Sequence, residues 1–135
     1  MHALNLSQSD ITAHDGTPAR LVYDHEADIL EIFFGTNEPA AGMELTEHIV
    51  LRLNLLTKRA VSLMLLHFST LTERTEYGPR SYPLTTLHAL PDEIRAIVLQ
   101  VITSMPVQQF LKVSHLQASA TCQLDTFFVL ERHEL

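Results

Sequence analysis

Three carboxylates at alternate positions, Asp24, Glu26 and Asp28, stand in the run Tyr23-Asp24-His25-Glu26-Ala27-Asp28. Carboxylate oxygens so spaced are the raw material of a calcium or magnesium site, and His25 among them adds a nitrogen ligand or an acid–base group. The twelve-residue calcium loop does not fit. With Asp24 in its first position, the glycine that makes the sharp turn falls on Ile29 and the closing glutamate falls on Gly35. A structural role fits better: aspartates at either end of a short link accept hydrogen bonds from nearby backbone N–H groups and shape a turn. Tyr23, Asp24, Glu26, Ala27 and Asp28 are therefore read as structural. Asp24, Glu26, Asp28 and His25 are kept as the candidates for a metal or acid–base site, and no metal or cofactor is expected.

Other chemistry finds less support. Eight histidines, His2, His14, His25, His48, His67, His88, His115 and His133, are all isolated. None has a partner at the i, i+2 or i, i+4 spacing of a strand or helix metal site. His25, His48 and His67 lie near different strands, so only folding decides whether they converge; surface or pH-responsive histidines are the expected outcome. Cys122 is the single cysteine, set in a small-residue segment between His115 and His133, with no signature of an activated thiol. No Gly-x-Ser-x-Gly elbow occurs, and glycine at 16, 35, 42 and 78 alone makes no phosphate loop.

The run Val22-Tyr23-Asp24-His25-Glu26-Ala27-Asp28-Ile29-Leu30-Glu31-Ile32 resembles the start of a small bacterial and archaeal family of unknown function, number twenty-two eighty-three in the catalogue of uncharacterised domains. The resemblance extends from about Leu21 to about Leu71: tyrosine-aspartate-x-glutamate-alanine-aspartate, a strand, a polar break, two more strands and a short end. It implies a small β module and no specific activity. Members sometimes stand beside toxin-like genes, which implies an accessory binding role. Where members carry glycine and glutamate in the fourth strand, this chain has Ser62 and Met64. That departure removes an acid from any shared carboxylate site and makes the face more apolar.

Composition narrows the remaining classes. A net charge of −7 and scattered basic residues, with Lys58-Arg59 the only adjacent pair, argue against nucleic acid, whose affinity comes from lysine and arginine neutralising phosphates. No apolar run approaches the roughly 18 residues of a membrane span, and the N-terminus lacks the basic and apolar regions of a secretory signal. With a lone cysteine, a cytoplasmic location is expected. The chain has 135 residues and is 46% hydrophobic, enough for one domain with a core of its own.

The elements that would position these residues follow from periodicity. Residues 1–19 are polar, close on Asp15-Gly16-Thr17-Pro18 and read as a flexible lead-in. Arg20–Tyr23 and Ile29–Phe34 are β-prone runs joined by the acidic link, hence a hairpin. Glu44–Leu55 alternates, with Ile49, Leu51, Leu53 and Leu55 on one face, and reads as a third strand. Ala60–Leu66 is the fourth, apolar on both sides and so covered on both. Pro91 to Met105 carries Ile94, Ile97, Val98, Val101, Ile102 and Met105 on one helical stripe, with Asp92 and Glu93 at the positive end of the dipole and Pro106 as the stop. Phe110–Leu116 and Thr126–Leu130 have strand character.

The expected fold is α+β: a small four-stranded antiparallel sheet packed by one long C-terminal amphipathic helix, with one or two extra C-terminal strands. Residues 20–71 form the β module, and residues 72–135 form an extension packed on it or on a neighbouring subunit. The expected function is a non-enzymatic, homo-oligomeric binding or assembly module, with a further protein partner possible and neither nucleic acid nor membrane involved. Phe33, Phe34, Met64, Leu66, Phe127 and Phe128 are its interface candidates, because apolar surface beyond the needs of one small sheet marks contact areas. The alternative is a metal-dependent or acid–base enzyme using Asp24, Glu26 and Asp28.

Overall fold

The computed structural model describes residues 6–71, 74–75, 78–79, 82–83, 86–119 and 122–129; at 74–75, 78–79, 82–83, 88, 112–119 and 122–129 the description is of the backbone alone. Six strands make the main antiparallel sheet: β1 (Leu6–Thr12), β2 (Pro18–Asp24), β3 (Ile29–Phe34), β4 (Ala41–Thr46), β5 (Ile49–Asn54) and β6 (Arg59–Leu66). Their spatial order is β1-β2-β3-β6-β5-β4. A single-turn helix, α1 (Phe68–Leu71), follows β6, and α2 (Asp92–Ile102) is the principal helix.

The expected four-stranded sheet is thus corrected to six strands, and each added strand has a physical reason. The sequence pattern starts the sheet at Arg20, but Leu6–Thr12 pairs with β2 from Leu6↔Asp24 to Thr12↔Pro18. Leu6 to Asp10 are all exposed, so β1 carries no hydrophobic alternation; backbone pairing and the turn at Gly16 (φ +90°) hold it. The second addition splits the expected third strand. Thr46 pairs with Ile49, so the chain reverses through Glu47 and His48, and β4 and β5 form a hairpin.

Register divides the sheet into two unlike faces, because residues directly opposite each other share a side. Leu21, Ile32, Leu63 and Leu51 form one row, and Tyr23, Leu30, Leu65 and Ile49 the next. Apart from Tyr23, which is half-buried, these side chains are buried. Val98, Val101 and Ile102 of α2 join that core cluster with Phe68, Leu71, Leu87, Val107 and Phe110, and Phe34 meets Phe110 with ring centroids 6.0 Å apart. Phe34 therefore leaves the set of interface candidates: it is 1% exposed.

The expected long helix is also corrected. Regular α structure spans Asp92–Ile102, not Pro91–Met105, with Pro91 as N-cap. Pro106 has no N–H to offer the Ile102 carbonyl, and Thr103 and Ser104 turn their hydroxyls back onto Leu99 and Gln100 carbonyls at 2.6 Å. Three-residue 3₁₀ turns, Leu87–Ala89 and Val107–Gln109, flank it and supply part of the core cover that a longer helix would have given.

Beyond α1, β7 (Arg74–Thr75) pairs with β8 (Gly78–Pro79), and β9 (Tyr82–Pro83) joins the hairpin of β10 (Leu111–Ser119) and β11 (Cys122–Val129). The two C-terminal strands pair with each other from Leu111↔Val129 to Ser119↔Cys122, and they do not widen the main sheet. Phe127 and Phe128 lie in β11; their side chains, with those of His88, His115 and Cys122, fall outside the described residues, as do His2 and His133 altogether. Among the described residues, no helix is long and apolar enough to cross a membrane.

Candidate functional site

At one end of the sheet three chain segments meet: the β2–β3 link Asp24–Asp28, the β4–β5 turn at Glu47-His48, and the exit from β6 through His67, Phe68 and Ser69. Local chemistry shapes the first. Asp24 Oδ1 accepts from the backbone N–H groups of Glu26 and Ala27, both at 3.1 Å, which closes an Asx turn. Asp28 then takes the left-handed conformation, φ 58°, that asparagine and aspartate tolerate better than other side chains.

Asp28 also reaches beyond its own hairpin. Its Oδ1 accepts from the Tyr23 hydroxyl at 2.5 Å, and its carboxylate accepts from the Ser69 N–H at 3.1 and 3.2 Å and from the Ser69 hydroxyl at 2.5 Å. The Phe68 N–H donates to the Asp28 carbonyl at 3.0 Å. The N–H groups opening a helix have no partner inside it, and a carboxylate set before α1 satisfies them. Asp28 thereby clamps the β2–β3 link to the start of α1, and Tyr23 steadies the clamp. The Tyr23 ring packs edge-on against Phe68 at 5.7 Å and against His25 at 4.6 Å.

The histidines sort into unlike pairs. His25 is exposed, and its Nε2 lies 2.5 Å from Ser7 Oγ on β1. His48 and His67 come together with Nδ1 atoms 3.0 Å apart, rings at 85° and centroids 4.9 Å apart. At that distance one nitrogen donates its proton and the other accepts. The Thr46 hydroxyl, buried, accepts from the His48 N–H at 2.9 Å and orients the turn; Glu47 Oε1 stands 3.3 Å from His48 Nε2.

Asp24, Glu26, Asp28 and His25 do not assemble into one ligand set. Asp24 and Asp28 turn their oxygens to donors of the turn and of α1, while Glu26 and Ala27 are exposed. No group of three or more His, Cys, Asp or Glu side chains able to hold a metal ion occurs among the described residues.

The other face of the sheet is the second place where the candidates gather. Val22, Glu31, Met64 and Val50 make one row across it, Arg20, Phe33, Ser62 and Arg52 the next, and Asp24, Ile29 and Leu66 a third. Phe33, Met64 and Leu66 are half-buried, as are Val22, Ile29 and Val50. In the middle, the Ser62 hydroxyl donates to Glu31 Oε2 at 2.9 Å, so the acid is held rather than free. A hollow of about 530 Å³ lined by Gln8, Asp10, Arg20, Val22, Phe33 and Asn37 opens on the β1 side.

Sequence reasoning missed Ser69 and left open the convergence of His25, His48 and His67, of which the structure brings together only His48 and His67. For Ser69 no local signal exists, since forty-one positions separate it from Asp28. For the histidines the strand register decides: the pairs Ile49↔Leu65 and Val50↔Met64 bring His48 opposite Leu66, next to His67, and the Leu66 N–H donates to the His48 carbonyl at 2.8 Å. No protein-family model, curated protein or solved structure matches the chain.

Proposed function

We propose that this protein is a non-enzymatic binding or assembly module of the cytoplasm that associates with a second copy of itself through the open face of its six-stranded sheet. One observation carries the reading: the face opposite the core holds Val22, Ile29, Phe33, Val50, Met64 and Leu66 in adjoining rows, each only half-buried. Apolar side chains gathered in that way gain from being covered, and a second copy presents the same rows. Phe33, Met64 and Leu66 are the central contacts of this interface, with the Phe127–Phe128 segment a further contact. The run Tyr23–Asp28 resembles a small family of unknown function, and that resemblance implies at most an accessory binding role. The enzyme alternative loses its main support where Asp24 and Asp28 are occupied by the turn and by α1.

Light scattering on the purified chain at micromolar concentration tests the reading. A dimer or larger assembly is expected, with Phe33→Lys and Met64→Lys each returning it to monomer while the circular dichroism stays unchanged. A wild-type chain that runs as a clean monomer overturns the proposal.

A further inference from the structure

The His48–His67 pair has a geometry that backbone requirements alone do not explain. His67 sits at φ 55°, and its carbonyl accepts from the Thr70 and Leu71 N–H groups at 3.0 Å to open α1. Glycine or asparagine would hold that left-handed position equally well, so the backbone does not demand a histidine there. What histidine adds is a ring that meets His48 Nδ1 to Nδ1. Centroids at 4.9 Å are closer than two imidazoles meeting head-on at this nitrogen separation would be, so the rings are inclined and not collinear.

We infer that His48 and His67 are the protein ligands of a divalent-cation site of the imidazole-preferring class, with zinc the representative ion. Two histidine nitrogens at about 2.1 Å from a tetrahedral zinc stand about 3.4 Å apart. The present gap of 3.0 Å is a few tenths of an ångström short of that. The outer shell is in place as well. Glu47 Oε1 stands 3.3 Å from His48 Nε2, within reach of a proton there; in that tautomer the Nδ1 lone pair faces His67. On metal binding the proton shared between the two Nδ1 atoms leaves, and His67 takes up a proton at Nε2, so both rings stay neutral and both Nδ1 lone pairs go to the ion. Water completes the coordination, since two protein ligands leave positions open. This site is separate from the sheet face proposed for self-association and does not depend on it.

Titration calorimetry of the full chain with zinc alone, in a buffer that does not bind metal, tests the inference against the same titration of His48→Asn, His67→Asn, Glu47→Gln and His25→Asn. One site is expected in the wild type and lost in both His48→Asn and His67→Asn. Glu47→Gln should weaken it roughly 10-fold, the usual cost of an outer-shell partner, and His25→Asn should leave it unchanged. Asparagine accepts the left-handed backbone at position 67, so a folded variant is expected there. As a readout that needs no variant, trace copper(II) should broaden the ring resonances of His48 and His67 before those of the other histidines. Zinc affinity unchanged in both histidine variants, its loss in only one of them, or first broadening at other histidines overturns the site.

Discussion

The two ends of the six-stranded sheet meet the same problem with opposite chemistry. At the Asp28 end the chain enters α1, whose first backbone N–H groups lack helical partners, and the organiser is an acceptor: the Asp28 carboxylate takes the Ser69 N–H, the Ser69 hydroxyl and the Tyr23 hydroxyl. At the far end the chain leaves β3 and leaves carbonyls behind, and the organiser is a donor. Arg59 gives to the Phe34 carbonyl at 2.6 Å and to the Thr36 carbonyl, and stands 3.5 Å from Glu38 Oε1. Around it Arg52 donates to Asn37 Oδ1 at 3.0 Å and to the Glu38 carbonyl at 3.1 Å, while the Asn54 amide donates to Glu38 Oε1 at 2.9 Å. Which backbone group a loop orphans decides whether a carboxylate or a guanidinium belongs there. A triad of acids in a sequence is therefore as readily a set of acceptors for N–H groups as a set of metal ligands.

The largest effect should come from breaking the acceptor end. Asp28→Ala should lower the unfolding free energy by about 3 kcal/mol, because a charged acceptor is lost and its donors are left behind. Asp28→Asn, which tolerates the left-handed turn, should recover most of this; urea melts measure both. A loss well under about 1 kcal/mol for Asp28→Ala would place the anchor of that end elsewhere.

Breaking the donor end should cost somewhat less. Arg59→Ala should remove about 2 kcal/mol in the same melts, with Arg59→Lys recovering little, since a single ammonium cannot span the Phe34 and Thr36 carbonyls as a planar fork does. Tyr23→Phe keeps the ring packing on Phe68 and deletes only the hydroxyl, for a loss of about 1 kcal/mol.

The smallest effect, and the one that separates the ends most cleanly, is in acid. The Asn54 hydrogen bond is the main cause that holds the Glu38 carboxyl below the usual carboxylate range; desolvation opposes it, and the charge and hydrogen bond of Arg59 add smaller lowering contributions. The unfolded chain therefore binds this proton at a higher pH than the folded one. The resulting stabilisation is complete above the unfolded value and is lost as pH falls through the lower folded value. Glu38→Gln should flatten that acid limb in thermal melts scanned against pH. High salt should shrink it in the wild type, since both partners are about a third exposed.

Legibility in the sequence followed the range of the interaction. The Asp24 turn is an i to i+2 and i+3 matter, and residue types in order are enough to read it. The β2–β3 hairpin, the alternation of Ile49, Leu51 and Leu53, and the apolar stripe of α2 are equally local. β1 was illegible because every residue from Leu6 to Asp10 is exposed, so no apolar period marks it. The β4–β5 reversal was hidden because Glu44 to Leu55 keeps an alternating look across the Glu47-His48 turn. Phe33 and Phe34 read as one apolar pair, yet a period of two sends Phe34 into the core and Phe33 to the open face.

By itself, then, the order of residues determined where β2, β3, β6 and the apolar stripe of the main helix lie, and how the acidic link turns, because those depend on neighbours a few positions apart. Only the tertiary structure decided that the sheet has six strands, that Asp28 serves Ser69, and that His48 faces His67. Those outcomes come from strand register and from the point at which β6 leaves the sheet, and no local spacing encodes either.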